Sequence, residues 1–125
     1  MAVFKVDHAG PLVTIQDQGR SGFMRYGVTP SGPMDRLAFS LAHHALMQTP
    51  TAAIEVSMGG IALTCTEGNV TACVVGGAFY VVLDGKPLPH CSVFTLSQGS
   101  KLQIRPGPWG SWCYLAFAGH MDVPD

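Results

Sequence analysis

Charge is what this sequence has least of. Lys, Arg, Asp and Glu make up 12% of the 125 residues and the net charge is −1, whereas an average soluble domain carries about 25% charged residues. Either the chain is deeply folded on itself, or a partner covers part of its surface. The seven Lys and Arg are scattered from Lys5 to Arg105. Phosphate backbones demand clustered cations, so nucleic-acid binding is not expected. No apolar run approaches the ~20 residues that span a bilayer. The start, Met1-Ala2-Val3-Phe4-Lys5, lacks the basic and apolar regions of a secretion signal. No membrane role is expected, and the cytoplasm is the expected compartment.

Paired metal ligands are missing too. His8, His43, His44, His90 and His120 show no H-x-H or H-x-x-x-H spacing. His43 and His44 are neighbours on a helical stretch, so they would point in different directions and no metal site is expected. None of Cys65, Cys73, Cys91 and Cys113 forms a C-x-x-C pair. Cys65, Cys73 and Cys113 sit in apolar, strand-like runs and read as small buried hydrophobes in a reducing compartment. No internal repeat, low-complexity tract or linker divides the chain.

What is present is a core-forming sequence: 47% of residues are hydrophobic, in a 13.2 kDa chain of single-domain size. Met34 to Met47 is the one good helix. Met34, Leu37, Ala38, Leu41, Ala42, Ala45 and Leu46 recur at three- and four-residue spacing and give one apolar face. Ser31 is its expected N-cap, with Pro33 and Asp35 in the first turn, and Thr49-Pro50 its end. Short strands are expected at Val3–Val6 and Leu12–Ile15. After the helix they are expected at Ala53–Ser57, Ile61–Thr66, Val70–Val75, Tyr80–Leu83, Ser92–Leu96, Lys101–Arg105 and Trp112–Ala118. Glycine turns punctuate them, and Asp84-Gly85 is a strong hairpin signal. The fold class is therefore mainly β, a sandwich or barrel in one domain over 1–125. Between the second strand and the helix, residues 16–33 hold Gly19, Gly22, Gly27, Gly32, Pro30 and Pro33 along with Phe23, Met24 and Tyr26. A long loop with enough apolar groups to pack reads as ordered and functional.

Several segments resemble a known family. Thr14-Ile15-Gln16-Asp17-Gln18-Gly19-Arg20 resembles the signature T-I-Q-D-x-G-R, and Gly27-Val28-Thr29-Pro30-Ser31-Gly32-Pro33-Met34-Asp35 resembles G-V-x-x-S-G-x-M-D. Ala53-Ile54-Glu55 begins an A-x-L-E-like segment, Asp84 to Pro89 reads D-G-x-P-x-P, and Tyr114 to Pro124 is similar to Y-L-A-x-A-G-G-I-D-V-P. In this order they resemble the second subunit of the allophanate hydrolase / 5-oxoprolinase family, related to biotin-dependent carboxyltransferases. The resemblance implies a cyclophilin-like β-barrel with one amphipathic helix near residues 34–47. Family members are longer and have a second barrel-like half, so the chain corresponds to the N-terminal portion. The resemblance also implies a subunit-1 type protein partner, a composite active site, and acyl or carboxyl transfer on a small amide or lactam substrate. No cofactor is expected on this chain itself, with ATP or biotin belonging to the larger complex. The rival reading is a non-catalytic binding or regulatory module that pairs with the same partner. A homo-oligomer would be a further way to cover an open sheet edge.

The candidate chemistry lies in residues 16–35. Arg20 offers a two-point grip for a carboxylate, or pairs with Asp17 to pin the loop. The Gln16 amide could orient a urea-like or lactam group, or tie down backbone. Asp17 and Asp35 are the candidate acid or base, Asp35 having capping as its other role. Ser31 has no adjacent base, which favours capping over nucleophilic attack. Amides at the helix start could hold an anion. Gly19, Tyr26, Ser31, Gly32 and Met34 complete the expected substrate-binding set with Gln16; Tyr26 and Phe23 would form an apolar wall or core. Glu55, between Ile54 and Val56, faces away from both and is either a buried acid or a solvent-facing residue.

Overall fold

The computed structural model describes residues 2–11, 13–16, 35–49 and 52–119. They form ten strands and one helix: β1 Val3–Ala9, β2 Thr14–Gln16, α1 Arg36–Ala45, β3 Ala53–Val56, β4 Ile61–Glu67, β5 Asn69–Val75, β6 Tyr80–Leu83, β7 Lys86–Leu88, β8 Val93–Ser97, β9 Lys101–Arg105 and β10 Cys113–Phe117. The strands make two five-stranded sheets, ordered β1-β4-β9-β6-β7 and β2-β3-β10-β5-β8, and every pairing is antiparallel. The expected closed barrel is not what the described strands form. Among the described residues each sheet keeps two edges, β1 and β7 in the first and β2 and β8 in the second, and no ladder joins one sheet to the other.

The layering follows from the two-residue period of the strands. Ile61, Leu63, Leu102, Ile104 and Val81 of the first sheet meet Ile54, Val56, Ala72, Val74, Leu96, Cys113, Leu115 and Phe117 of the second in one shared core. The second sheet is buried on its other face as well. There Ala53, Cys73, Val75, Tyr114 and Ala116 pack against Ala38, Phe39 and Ala42 of α1. All four residues of β3 and all five of β10 are consequently buried, Glu55 and Tyr114 included.

The helix differs from its expected form in three ways. It runs over Arg36–Ala45 rather than 34–47, and its N-cap is Asp35, whose side chain accepts the Ala38 amide. The capping role expected of Ser31 is thus filled by a residue four positions later, one equally suited to it. The buried face is also rotated. Leu37 is 70% and Leu41 46% exposed, while Phe39 and His43 point inward. The sheet offers a tyrosine ring among small residues, a surface that one large aromatic flanked by Ala38 and Ala42 fills better than a row of leucines. The helix ends before Thr49-Pro50. Met47 takes a left-handed φ of 56°, and the amides of Met47 and Gln48 close back on the carbonyls of His44 and His43, the pattern of a Schellman cap.

The hairpin at Asp84-Gly85 forms as expected, with φ of 51° and 80° at its two central residues and Leu83 paired with Lys86. Those angles define the tight turn that matches strand twist. Its second strand, β7, which the sequence expectation does not delimit, contains Pro87; among the described strands β7 lies at the edge of its sheet, where proline is tolerated. Cys65, Cys73 and Cys113 are buried free thiols and Cys91 is exposed. Among the described residues, no helix is long and apolar enough to cross a membrane.

Candidate functional site

Residues 17–34 carry most of the expected site: Asp17, Gly19, Arg20, Tyr26, Ser31, Gly32 and Met34 all lie outside the described residues. The two residues that flank this segment, Gln16 and Asp35, are described. Both lie on the helix-bearing face of the second sheet. Gln16 pairs with Ala53 and Thr14 with Glu55. Residues directly opposite in an antiparallel pair share a face, and Ala53 belongs to the cluster under α1. Gln16 Nε2 donates to Thr14 Oγ1 at 2.8 Å.

Asp35 is held from two directions. Its Oδ1 accepts from the Ala38 amide at 3.0 Å, and its backbone carbonyl accepts from the Phe39 amide at 3.1 Å. Its own backbone amide donates at 2.8 Å to the hydroxyl of Tyr114, 79 residues away. That hydroxyl in turn donates to Glu55 Oε2 at 2.5 Å. Tyr114 and Glu55 are in direct register across β10 and β3, 0% and 4% exposed. Of the two roles open to Glu55, the structure selects the buried one, under the helix. Burial, reinforced by the bond to Glu55, pushes the Tyr114 hydroxyl well above the ordinary tyrosine range. The phenol therefore stays protonated, and its single proton is committed to the carboxylate. The ring is fixed too, edge-on to Phe39 with centroids 5.8 Å apart and planes at 85°.

A second polar group closes the far end of α1. Gln48 Nε2 lies 2.9 Å from His43 Nδ1 and donates to the Phe117 carbonyl at 2.9 Å, while Gln48 Oε1 accepts the Gly119 amide at 2.9 Å. Burial lowers the His43 pKa, which keeps the ring neutral. His44, its neighbour, is exposed. A shallow depression on the outer side of α1 is lined by Ser40, Leu41, His44 and Gln48, none of which belongs to the expected site. Among the described residues no group of three His, Cys, Asp or Glu side chains is placed to hold a metal ion.

Tyr114 is the residue that sequence reasoning passed over. Its signal was legible as a phenol inside Cys113 to Ala118, an otherwise apolar run, matched by a lone carboxylate inside Ala53 to Val56. What the sequence could not supply was the register that puts one opposite the other.

Known proteins are similar to this chain along nearly its whole length. The family model described as carboxyltransferase domain, subdomain A and B, matches residues 26–125. Urea amidolyase of Saccharomyces cerevisiae is 38% identical over 119 residues, covering 92% of this chain and 6% of that protein. The C subunit of 5-oxoprolinase from Haemophilus influenzae is 33% identical over 112 residues, covering 89% of this chain and 36% of that one. The crystal structure of Kluyveromyces lactis urea carboxylase superposes with a TM-score of 0.88 at 30% identity, over 99% of this chain and 11% of the other. The chain thus spans well under half the length of these relatives, while nearly all of it finds a counterpart in each. It belongs to the carboxyltransferase domain family, within the portion formed by subdomains A and B.

Proposed function

We propose that this chain supplies part of a composite enzyme of the carboxyltransferase type, acting with a subunit-1 type partner on a small amide or lactam such as urea, allophanate or 5-oxoproline. The observation that carries the reading is the meeting of Asp35, Glu55 and Tyr114 in one hydrogen-bonded chain. They come from three segments that each resemble a family signature and lie far apart in sequence. Relatives named as urea amidolyase and as a 5-oxoprolinase component support the substrate class.

In this reading Arg20 grips a carboxylate bidentately and Gln16 orients the amide, with its donor side already turned to Thr14. Asp17 is the stronger candidate for acid or base, because one carboxylate oxygen of Asp35 is engaged in capping α1. Any step that uses ATP or biotin is assigned to the larger assembly. The protein would act in the cytoplasm.

The test is co-expression with a subunit-1 type protein from the same source, native mass by light scattering, and turnover assays with the three substrates. A stable hetero-complex that consumes one of them, and loses that activity with Arg20→Ala, is the expected result. A homo-oligomer that ignores the partner, or a complex inert toward all three, would overturn the proposal.

A further inference from the structure

We infer that Tyr114 and Glu55 are positioning residues for the proposed reaction, fixing the start of α1 at the Asp35 amide; the inference rests on the carboxyltransferase reading above. Three observations carry it.

The first is redundancy. The helix needs no long-range bond to begin, because Asp35 already caps it through the Ala38 amide. The bond from the Asp35 amide to the Tyr114 hydroxyl is an additional constraint that reaches from helix to sheet. The second is direction. The Tyr114 hydroxyl has one proton, and Glu55 takes it, so a lone pair is left facing the Asp35 amide. Without the carboxylate, the hydroxyl would be free to turn its proton elsewhere. The third is cost. A buried tyrosine hydroxyl and a buried carboxylate sit in a layer otherwise made of apolar side chains, among them Ala38, Phe39, Ala42, Ala53, Cys73, Val75 and Ala116. Apolar residues of similar volume in such places are often as stable or more so. A polar pair kept there serves placement better than it serves stability. What it places is Asp35, the N-cap of α1 and a candidate acid or base of the proposed reaction.

Two measurements on three variants, Tyr114→Phe, Glu55→Leu and Glu55→Gln, test the inference. Hydrogen exchange of the Asp35 amide is followed on the chain by itself, and kcat and KM are measured in the assembled enzyme. Loss of one buried hydrogen bond should speed exchange of that amide about tenfold in Tyr114→Phe and in Glu55→Leu. The same two variants should lower kcat about tenfold while KM stays within about twofold, because an orienting contact acts on the reacting geometry rather than on uniform binding. Glu55→Gln keeps an acceptor for the hydroxyl and should restore both values to near the original. The inference is overturned if Tyr114→Phe leaves the Asp35 amide as protected as before. It is equally overturned if, in an assembly whose unmodified form is active, Glu55→Gln is as impaired as Glu55→Leu. Inactivity of the unmodified assembly sinks the carboxyltransferase reading and the catalytic half of the inference with it, and the exchange result still decides whether the pair holds the helix start.

Discussion

Replacing Phe39 with alanine should detach much of what holds α1 to the protein. Phe39 is 2% exposed. It meets the Tyr114 ring edge-on and lies 4.9 Å, centroid to centroid, from the His43 ring. Truncating a buried phenylalanine costs about 3–5 kcal/mol through lost transfer energy and the cavity left behind. An unfolding entropy of about 2.1 cal/mol/K per residue, taken over the 125 residues, amounts to about 0.26 kcal/mol/K. The melting temperature should therefore fall by about 12–19 °C. The control is Leu41→Ala. Leu41 belongs to the apolar face read from spacing alone but lies on the outer side of the helix, so its loss should stay within about 0.5 kcal/mol. Thermal melts followed by circular dichroism check both variants. If Phe39→Ala melts within about 3 °C of the parent, or if Leu41→Ala is the more damaging of the two, the helix orientation described here is wrong.

Three other outcomes follow from the same structure. Asp35→Ala should cost about 1 kcal/mol by removing the cap on the Ala38 amide, and Asp35→Asn should recover most of it, as measured by denaturant titration. Because burial lowers the His43 pKa below its ordinary 6.5, the unfolded chain binds a proton that the folded chain refuses. The stability contributed by neutral His43 should be present above about pH 6.5 and drain away as pH falls below it, with a slope of at most about 1.4 kcal/mol per pH unit; His43→Leu should flatten that segment of the stability–pH curve. In native protein a thiol reagent near neutral pH should modify Cys91 alone among the four cysteines. Cys65, Cys73 and Cys113 are buried, and burial, with the nearby Cys91 adding to it, pushes the Cys73 thiol up to about 11. Rapid labelling of two or more thiols without denaturant would contradict that burial.

How far the sequence can be read depended on whether a signal was local. Asp84-Gly85 dictated its own turn, and Tyr80–Leu83 and Lys101–Arg105 were delimited to the residue by composition and flanking glycines. The cap is Asp35 rather than the expected Ser31; both residue types suit the role, and spacing alone does not say at which of them the helix starts. The helix face was misread because spacing reports where apolar residues recur, not which side the sheet will accept. Leu37 and Leu41 form a good stripe, yet the surface they would meet is shaped around a tyrosine. The same non-locality hid the site. Glu55 and Tyr114 are 59 residues apart, and nothing in either segment announces the other until β3 and β10 are in register.

The strand order of the second sheet has a consequence for how the protein is made. β10, the last of the described strands in sequence, is the middle strand of that sheet, with β3 on one side and β5 on the other. Its five residues bridge β2-β3 to β5-β8. A ribosome delivering residues at roughly 5–20 per second releases both halves well before the strand that joins them. The nascent chain therefore waits, with the flanks of β3 and β5 unpaired, until Phe117 has cleared the exit tunnel. Any premature stop upstream of Cys113 leaves two half-sheets with complementary open edges, a species better suited to associating with its own kind than to folding.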